Sequence, residues 1–290
     1  MIQEFTVTQT CIEQASAAQA ANALHDFIQQ HAGLMLLTGA GISTDSGIPD
    51  YRDQKGQWKR NPPVQHQDFM KDEYTRQRFW ARSLIGWPVM RNARPNEAHH
   101  AIADLERKNV CQQLVTQNVD GLHNKAGSDR VIDLHGRSDQ VVCMDCGQSY
   151  SRDWVCDQLA TLNPEFARLT ASVAPDGDAD LERDDFHHFR LTGCQQCGGL
   201  LKPDVVFFGD TVPRDRVDAA FQALDNADGL FVIGSSLMVF SGYRFCRKAY
   251  ELGKPIVLLN QGVTRADELA TLKLDASCSD TLSELMSLLR

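Results

Sequence analysis

The sequence predicts an α/β fold, a parallel, doubly wound sheet carrying a smaller second unit. Three observations point there. Short apolar runs of strand length alternate with stretches of helix length, the pattern of buried parallel strands joined by crossover helices. A glycine-rich turn, Thr38-Gly39-Ala40-Gly41-Ile42-Ser43, directly follows the first such run. Two cysteine pairs, Cys143-x2-Cys146 and Cys194-x2-Cys197, interrupt the alternation in mid-chain.

Taken in order, residues 12–31 are Ala-rich and read as a helix, and Leu34-Met35-Leu36-Leu37 reads as a buried strand ending at Thr38-Gly39. Residues 50–95 are polar and aromatic, with a helix near 72–85. A helix near 97–108 precedes strands at 110–116 and 131–134. Residues 143–200 hold the four paired cysteines and an acidic, turn-rich surface excursion at 172–190. The alternation then resumes with strands at 204–208, 229–233 and 255–259, and helices near 213–226, 242–252 and 280–289. No internal repeat is present.

The 290 residues exceed one typical domain and can bury a sizeable core. A net charge of −9 argues against a phosphate-backbone binder, so no direct nucleic-acid partner is expected. A negative surface does suit a cationic, lysine-bearing partner, although solubility alone would produce it. No apolar run reaches membrane-spanning length, and the first 51 residues lack Lys and Arg, so neither a membrane span nor a leader is expected. The chain holds nine cysteines, an odd number without a disulfide framework, which points to a reducing, cytoplasmic setting.

Two CxxC hooks supply the four thiolates of a closed tetrahedral zinc site, Cys143, Cys146, Cys194 and Cys197. The 47 residues between the hooks (147–193) exceed the spacer of a compact zinc ribbon; two disulfides or scattered core thiols are the competing reading. Four thiolates saturate the metal and leave no position for water, so such a zinc is structural. After the first strand, Gly39 and Gly41 would let backbone N–H groups approach a pyrophosphate at a helix N-terminus, as in Rossmann-like sheets. A tight turn needing positive φ would read the same. The dehydrogenase fingerprint is not met: Gly47 comes too late, and Gln57-Trp58-Lys59-Arg60 stands where an acidic ribose clamp belongs. The expected organisation is a Rossmann-like domain from 1–49, 96–142 and 201–290, a cofactor loop and helical insertion at 50–95, and a zinc module at 143–200.

The ordered motifs carry a family resemblance. Gly39-Ala40-Gly41-Ile42-Ser43, Gly47-Ile48-Pro49-Asp50-Tyr51-Arg52, Thr116-Gln117-Asn118-Val119-Asp120-Gly121-Leu122-His123, His135-Gly136, the two CxxC pairs, Lys202-Pro203-Asp204-Val205-Val206-Phe207-Phe208-Gly209-Asp210 and Gly234-Ser235-Ser236-Leu237 together resemble the sirtuins from about residue 30 onward. WARSLIGWP (80–88), APDGD (174–178), VFSGYRF (239–245) and TRADELATLKLD (264–275) look like the class II branch, particularly its mitochondrial-type lipoamidase and ADP-ribosyltransferase member. The resemblance implies an NAD-dependent lysine deacylase acting on an acylated-lysine protein or peptide. The acyl oxygen attacks the ribose carbon bearing nicotinamide, which leaves; a ribose hydroxyl then attacks the resulting imidate, and water completes the reaction to give free lysine and O-acyl-ADP-ribose.

Carried over residue by residue, the resemblance places Gly39, Ala40, Gly41 and Ser43 at the pyrophosphate, with Arg52 beside the phosphates and Asp50 and Tyr51 in its loop. Gln117 and Asn118 would meet the nicotinamide ribose or a water, Asn118 as a catalytic residue, while Ile48 and Asp120 line the nicotinamide pocket. Gly234, Ser235 and Ser236 resemble the adenosine-phosphate loop; Asn260, Gln261 and Gly262 would face the adenine ribose and Cys278 the adenine, or Cys278 is simply buried. Phe207, Phe208, Gly209 and Val239 would bracket the substrate as an added strand. His135, just after a strand, would be the general base, since imidazole ordinarily titrates near neutral pH; His123 is assigned a structural role. The same NAD site would also serve mono-ADP-ribosyl transfer. For acyl preference, the Tyr-x-x-Arg pair of dicarboxyl-selective sirtuins has only a partial counterpart in Phe79-Trp80-Ala81-Arg82.

Overall fold

The computed structural model describes residues 10–12, 15–31, 33–59, 63–169 and 185–290. The chain runs through β1 (Thr10–Ile12), α1 (Ala17–Gln30), β2 (Leu34–Thr38), α2 (His66–Lys71), α3 (Glu73–Asn92), α4 (Glu97–Arg107), β3 (Cys111–Thr116), α5 (Leu122–Lys125) and β4 (Val131–Asp133). It continues with β5 (Gly136–Cys143), β6 (Ser149–Ser151), α6 (Arg152–Leu162), β7 (Leu201–Val205), α7 (Arg214–Asn226), β8 (Leu230–Ile233), α8 (Phe240–Glu251), β9 (Ile256–Leu259), β10 (Leu272–Leu274) and α9 (Cys278–Leu288). Side chains with an oxygen acceptor start many of the helices. Ser16, Asp72, Asn96, Ser151 and Ser277 each accept a backbone N–H of the first turn, satisfying donors the helix itself leaves orphaned.

Seven parallel strands form the main sheet in the order β1-β10-β9-β8-β2-β3-β4. Every residue of β2, β8 and β9 is buried because helices cover both faces. Leu36, Leu114 and Phe231 face one core with Leu24, Ile102 and Leu282, from α1, α4 and α9. Met35, Leu37, Val115 and Leu258 face the other, with Leu224 and Phe245 from α7 and α8. The continuous apolar runs of the sequence follow directly from this two-sided burial. All seven strands point the same way, so the residues after β2, β3, β4, β8 and β9 emerge along one edge of the sheet.

The parallel sheet and the smaller unit follow the expected fold class. A second sheet, β6-β5-β7, is antiparallel. It shares a separate core with α2, α3 and α6, including Phe69, Phe79, Trp80, Trp87, Leu159, Phe186 and Phe189. Here the structure departs from the expected strand at 204–208. The pairing covers Leu201–Val205 and runs antiparallel to β5 rather than within the main sheet. Residues 136–143 lack an apolar run, which hid β5, the partner that draws β7 away. Helix α3 continues past residue 85 to Asn92, through Pro88. The APDGD motif and most of the acidic excursion fall in 170–184, outside the described residues.

Gly234 ends β8 with φ +62°, and a Cβ there would stand 2.5 Å from the backbone N of Ile42. Both backbone strain and collision oppose any side chain. Gly234→Ala should therefore destabilise the protein by about 2 kcal/mol or more, read as a lower urea midpoint. An unchanged midpoint would show that the two loops separate freely.

Candidate active site

The loops after β2 and β8 touch backbone to backbone. Gly39 N–H donates to Ile233 O at 3.1 Å and Gly41 N–H to Gly234 O at 2.8 Å. The glycines thus serve a close loop-on-loop approach, and those two N–H groups are already bonded within the protein. Single 3-10 turns, Ala40–Ile42 and Thr44–Ser46, follow β2 in place of the expected helix. Beside this junction lies a cavity of about 780 Å³. Its lining includes Gly39, Ala40, Gly41, Ser43, Ile48, Asp50, Tyr51, Arg52, Gln117, Asn118, Asp120, His135, Gly234, Ser235, Ser236, Asn260, Gln261 and Cys278. Phe207, Phe208, Gly209 and Val239 line it as well. Of the residues expected at the cofactor, Gly262 alone does not line the cavity. Its left-handed backbone (φ +81°) packs against Gln54, and Val263 N–H donates to Gln54 O at 3.0 Å, tying the 50–59 loop to the residues after β9.

Hydrogen bonds fix the polar floor. Asn118 Nδ2 donates to Gly39 O and to Ser43 Oγ, each at 3.1 Å, and Ser43 Oγ donates to Asp120 Oδ2 at 2.8 Å. Gln117 accepts the Ser235 hydroxyl at 2.7 Å, joining the loops after β3 and β8. Asp50 pairs with Lys59 at 2.5 Å. Arg52 donates to Gly56 O at 2.8 Å and stacks 4.1 Å from the Trp58 ring centroid. The His135 Nδ1–H donates to Gln117 O at 2.9 Å, and the Ser241 hydroxyl donates to Nε2 at 2.8 Å. One tautomer is therefore set, with the acceptor Nε2 bonded to a cavity-lining hydroxyl.

A model of the Sir2 family matches residues 39–241. The chain is 54% identical to NAD-dependent protein deacetylase 2 of Bradyrhizobium diazoefficiens, across 94% of this chain and 100% of that protein. It is 48% identical to the bovine NAD-dependent protein lipoamidase sirtuin-4, across 89% of this chain and 83% of that protein. A solved complex described as Sir2 with a p53 peptide and NAD+ superposes with TM-score 0.73 at 30% identity, covering 92% of this chain and 97% of that one. The chain belongs to the Sir2 family.

In this Sir2-family chain, burial governs the titrating groups of the site. It pushes His135 down to about 4, partly opposed by the Gln117 carbonyl, so the imidazole does not titrate near neutral pH as the sequence suggested. His99 is pushed down to about 4 and His123 well below its ordinary value, again chiefly by burial. Their rings lie 4.8 Å apart, and His123 Nε2 meets Thr38 Oγ1 at 2.9 Å, in keeping with a structural role. Burial raises the Asp120 carboxyl, and raises Asp133 to about 6. Cys278 is held at about 12 by burial, its thiol 3.8 Å from Leu259 O.

The four cysteine sulfurs lie within 4.8 Å of one another, with Cys143 3.5 Å from Cys197 and Cys146 3.6 Å from Cys194. Four sulfurs at about 2.3 Å from a tetrahedral zinc would be about 3.8 Å apart, so the residues present fit the metal. Tyr150 supports the set: its hydroxyl lies 3.0 Å from Cys194 Sγ and accepts Gln195 N–H at 3.1 Å. Cys143 ends β5, whose first residue follows His135. At about 3.3 Å per residue this strand sets the four sulfurs on the order of 20 Å from His135.

Sequence reasoning missed several lining residues. Ser241 sits inside the VFSGYRF segment, but its bond to His135 needed the fold to show it. Trp58, Trp87, Met90, Ser138, Arg152 and Arg244 also line the cavity. Phe79 lines it, whereas Arg82, three residues on in the segment that partly matches the Tyr-x-x-Arg pair, does not.

Two outcomes follow from these environments. Buried neutral His99, His123 and His135 bind fewer protons folded than unfolded, so stability falls as pH drops below 6.5. The raised carboxyls Asp120 and Asp133 act in the opposite sense. Three histidines against two carboxyls leave a net loss of stability as pH falls from 6.5 to 5, and urea midpoints unchanged over that window would refute it. Purified protein should carry one zinc per chain, and Cys146→Ser should lower both zinc content and the melting temperature. Full zinc retention by that variant would remove Cys146 from the ligand set.

Proposed function

We propose that this chain is an NAD-dependent protein lysine deacylase releasing nicotinamide and O-acyl-ADP-ribose. The observation that carries the reading is His135, buried, neutral and fixed in one tautomer on the cavity wall shared with the loops after β2 and β8. Relatives named NAD-dependent protein deacetylases span nearly the whole chain and support it. NAD, when bound, supplies an electrophilic ribose carbon with nicotinamide as its leaving group.

The protein's residues have separable tasks in this proposal. Gly39, Ala40, Gly41, Ser43, Gly234, Ser235 and Ser236 form the surface that receives the phosphates, with Arg52 supplying a cation from the 50–59 loop. Asp50 and Tyr51 shape that loop through Lys59 and Trp58. Ile48, Asn118 and Asp120 hold the nicotinamide end, with Gln117 at the ribose; Asn260, Gln261 and Cys278 hold the adenosine end, with Gly262 anchoring the loop behind them. Acyl-lysine enters between Phe207-Phe208-Gly209 and Val239 as an added strand. His135 Nε2 exchanges its bond with Ser241 for one to a ribose hydroxyl and takes its proton. Gln117 O holds Nδ1–H and stabilises the imidazolium that forms. Zinc remains outside this sequence and holds the smaller unit together. We place the protein in the cytoplasm. In support, the described cysteines are free, and among the described residues no helix is long and apolar enough to cross a membrane.

Nicotinamide release from NAD should require an acyl-lysine peptide, and His135→Ala should lower kcat by about 10²- to 10⁴-fold with zinc content unchanged. Label transfer from NAD to protein without peptide would instead favour mono-ADP-ribosyl transfer. Because a neutral imidazole is the acceptor and burial lowers its pKa to about 4, kcat/KM on folded enzyme should be lost as pH falls through about 4. An acid limb centred at 6.5 would contradict the buried base.

A further inference from the structure

Two arginines beside the cleft lack the counter-ions that their neighbours have. On α7 and α8, Arg214 faces Asp218 at 3.4 Å, Arg216 faces Asp204 at 3.1 Å and Arg247 faces Glu251 at 3.7 Å. Arg244, also on α8, lines the cavity with Val239, Phe240 and Ser241. Its Nε–H is buried without a partner, and among the described residues no carboxylate pairs with it. Its guanidinium carbon stands 5.4 Å from the Phe240 ring centroid. Arg265 is exposed and approaches the same ring at 6.0 Å, lying 4.3 Å from the Tyr243 centroid and donating to Met238 O at 3.4 Å. It too has no carboxylate partner among the described residues. Phe240, between these contacts, is 49% exposed.

A buried N–H without an acceptor costs free energy, and an aromatic face satisfies none of its hydrogen-bonding capacity. Arg244 lies three residues beyond Ser241, hence on the same side of α8, and Ser241 bonds His135 at 2.8 Å. The cation therefore borders the substrate end of the cavity, away from the glycine loops proposed to receive the phosphates. Val239, where the substrate strand would run, immediately precedes Phe240. Main-chain bonds to an added strand supply affinity, and contacts to its side chains supply selectivity. We infer that this chain selects acyl-lysine segments carrying an acidic side chain beside the modified lysine. Arg244 grips that carboxylate, for which its guanidinium fork is the matching donor, and Arg265 adds a second positive charge beside Phe240. This rests on the deacylase reading above, including entry of the substrate past Val239. With a net charge of −9 the chain as a whole does not attract an acidic segment, so the preference belongs to this patch alone.

The test uses lysine peptides whose acyl group is uncharged, acetyl or lipoyl, with Glu or Gln placed in turn at each position flanking the modified lysine. The full chain is assayed with zinc and NAD. At the position that meets Arg244, the Glu peptide should exceed its Gln counterpart by about 10-fold in kcat/KM, carried by KM, as expected for hydrogen bonds to a charged group. In Arg244→Met that ratio should fall to about 1, and in Arg265→Met it should fall about 2-fold, the effect of a more exposed charge. Equal turnover of Glu and Gln peptides at every position by the unaltered protein would overturn the inference while leaving the deacylase reading intact. A ratio preserved in Arg244→Met would overturn it too. If no peptide of either acyl type drives nicotinamide release, the deacylase reading fails and the inference with it. Should Arg244→Met not fold, the ratio of the unaltered protein and its fall in Arg265→Met decide.

Discussion

The site depends on two central strands ending so close together that only backbone fits between their loops. Gly41 N–H reaches Gly234 O at 2.8 Å, and a Cβ on Gly41 would sit 2.9 Å from that same oxygen. This contact fixes the floor to which the other loops are referenced. Gln117 spans to Ser235, Asn118 spans to Gly39 and Ser43, and Ser43 spans to Asp120. Each bond joins residues at the ends of different strands, so sheet register becomes side-chain geometry. A parallel sheet supplies the convergence because all its carboxyl ends lie on one side.

Burial then decides the charge state of His135. Moving His135 from 6.5 to about 4 weakens it as a proton acceptor by about 3 kcal/mol, judged from the shift alone. In return the imidazole is uncharged throughout the physiological range, and its Nε2 stays an acceptor, here of the Ser241 hydroxyl. The Gln117 carbonyl opposes the loss, since it interacts more favourably with Nδ1–H once the ring is charged. Gln117 therefore carries two duties. Its side chain holds the β8 loop through Ser235, and its carbonyl holds the His135 ring.

How much of this was legible follows from what each element is buried against. Strands β2, β8 and β9 are covered on both faces, so their sequences are unbroken apolar runs and read plainly. Strand β5 has mixed burial, and its sequence GRSDQVVC shows no run; without it, the residues around 204 look like one more parallel strand. The short strands β1 and β10 are three residues each, below the length at which a pattern declares itself. The alternation put Asn118, Asp120 and His135 at strand ends, and the structure brings all three to the cavity, but only the family resemblance suggested roles for them. Ser241 and Arg152 could not. Each acts through a partner more than 60 residues away in sequence, His135 for one and Ser83 with the tryptophans of α3 for the other.

The zinc cluster reaches the cavity through Arg152 rather than through the base. Strand β5 leads from Gly136, next to His135, out to Cys143, placing the cysteine cluster far from His135. The chain returns from the metal through β6, which pairs antiparallel with β5, and Ser151 at its end caps α6 by accepting Trp154 N–H at 3.2 Å. Arg152 is the next residue, so its position is set by a strand that the cysteine knuckle closes. Tyr150 joins the two directly: its hydroxyl meets Cys194 Sγ, and its ring stacks on Trp154 of α6 at 4.8 Å. The His135 side of β5 is anchored independently, since Val206 N–H donates to His135 O at 2.8 Å and Gln117 holds the ring. Weakening the metal site should therefore disturb the cavity wall at Arg152 before it disturbs His135. The four-cysteine site and the Arg152 wall of the cavity are coupled through one short hairpin.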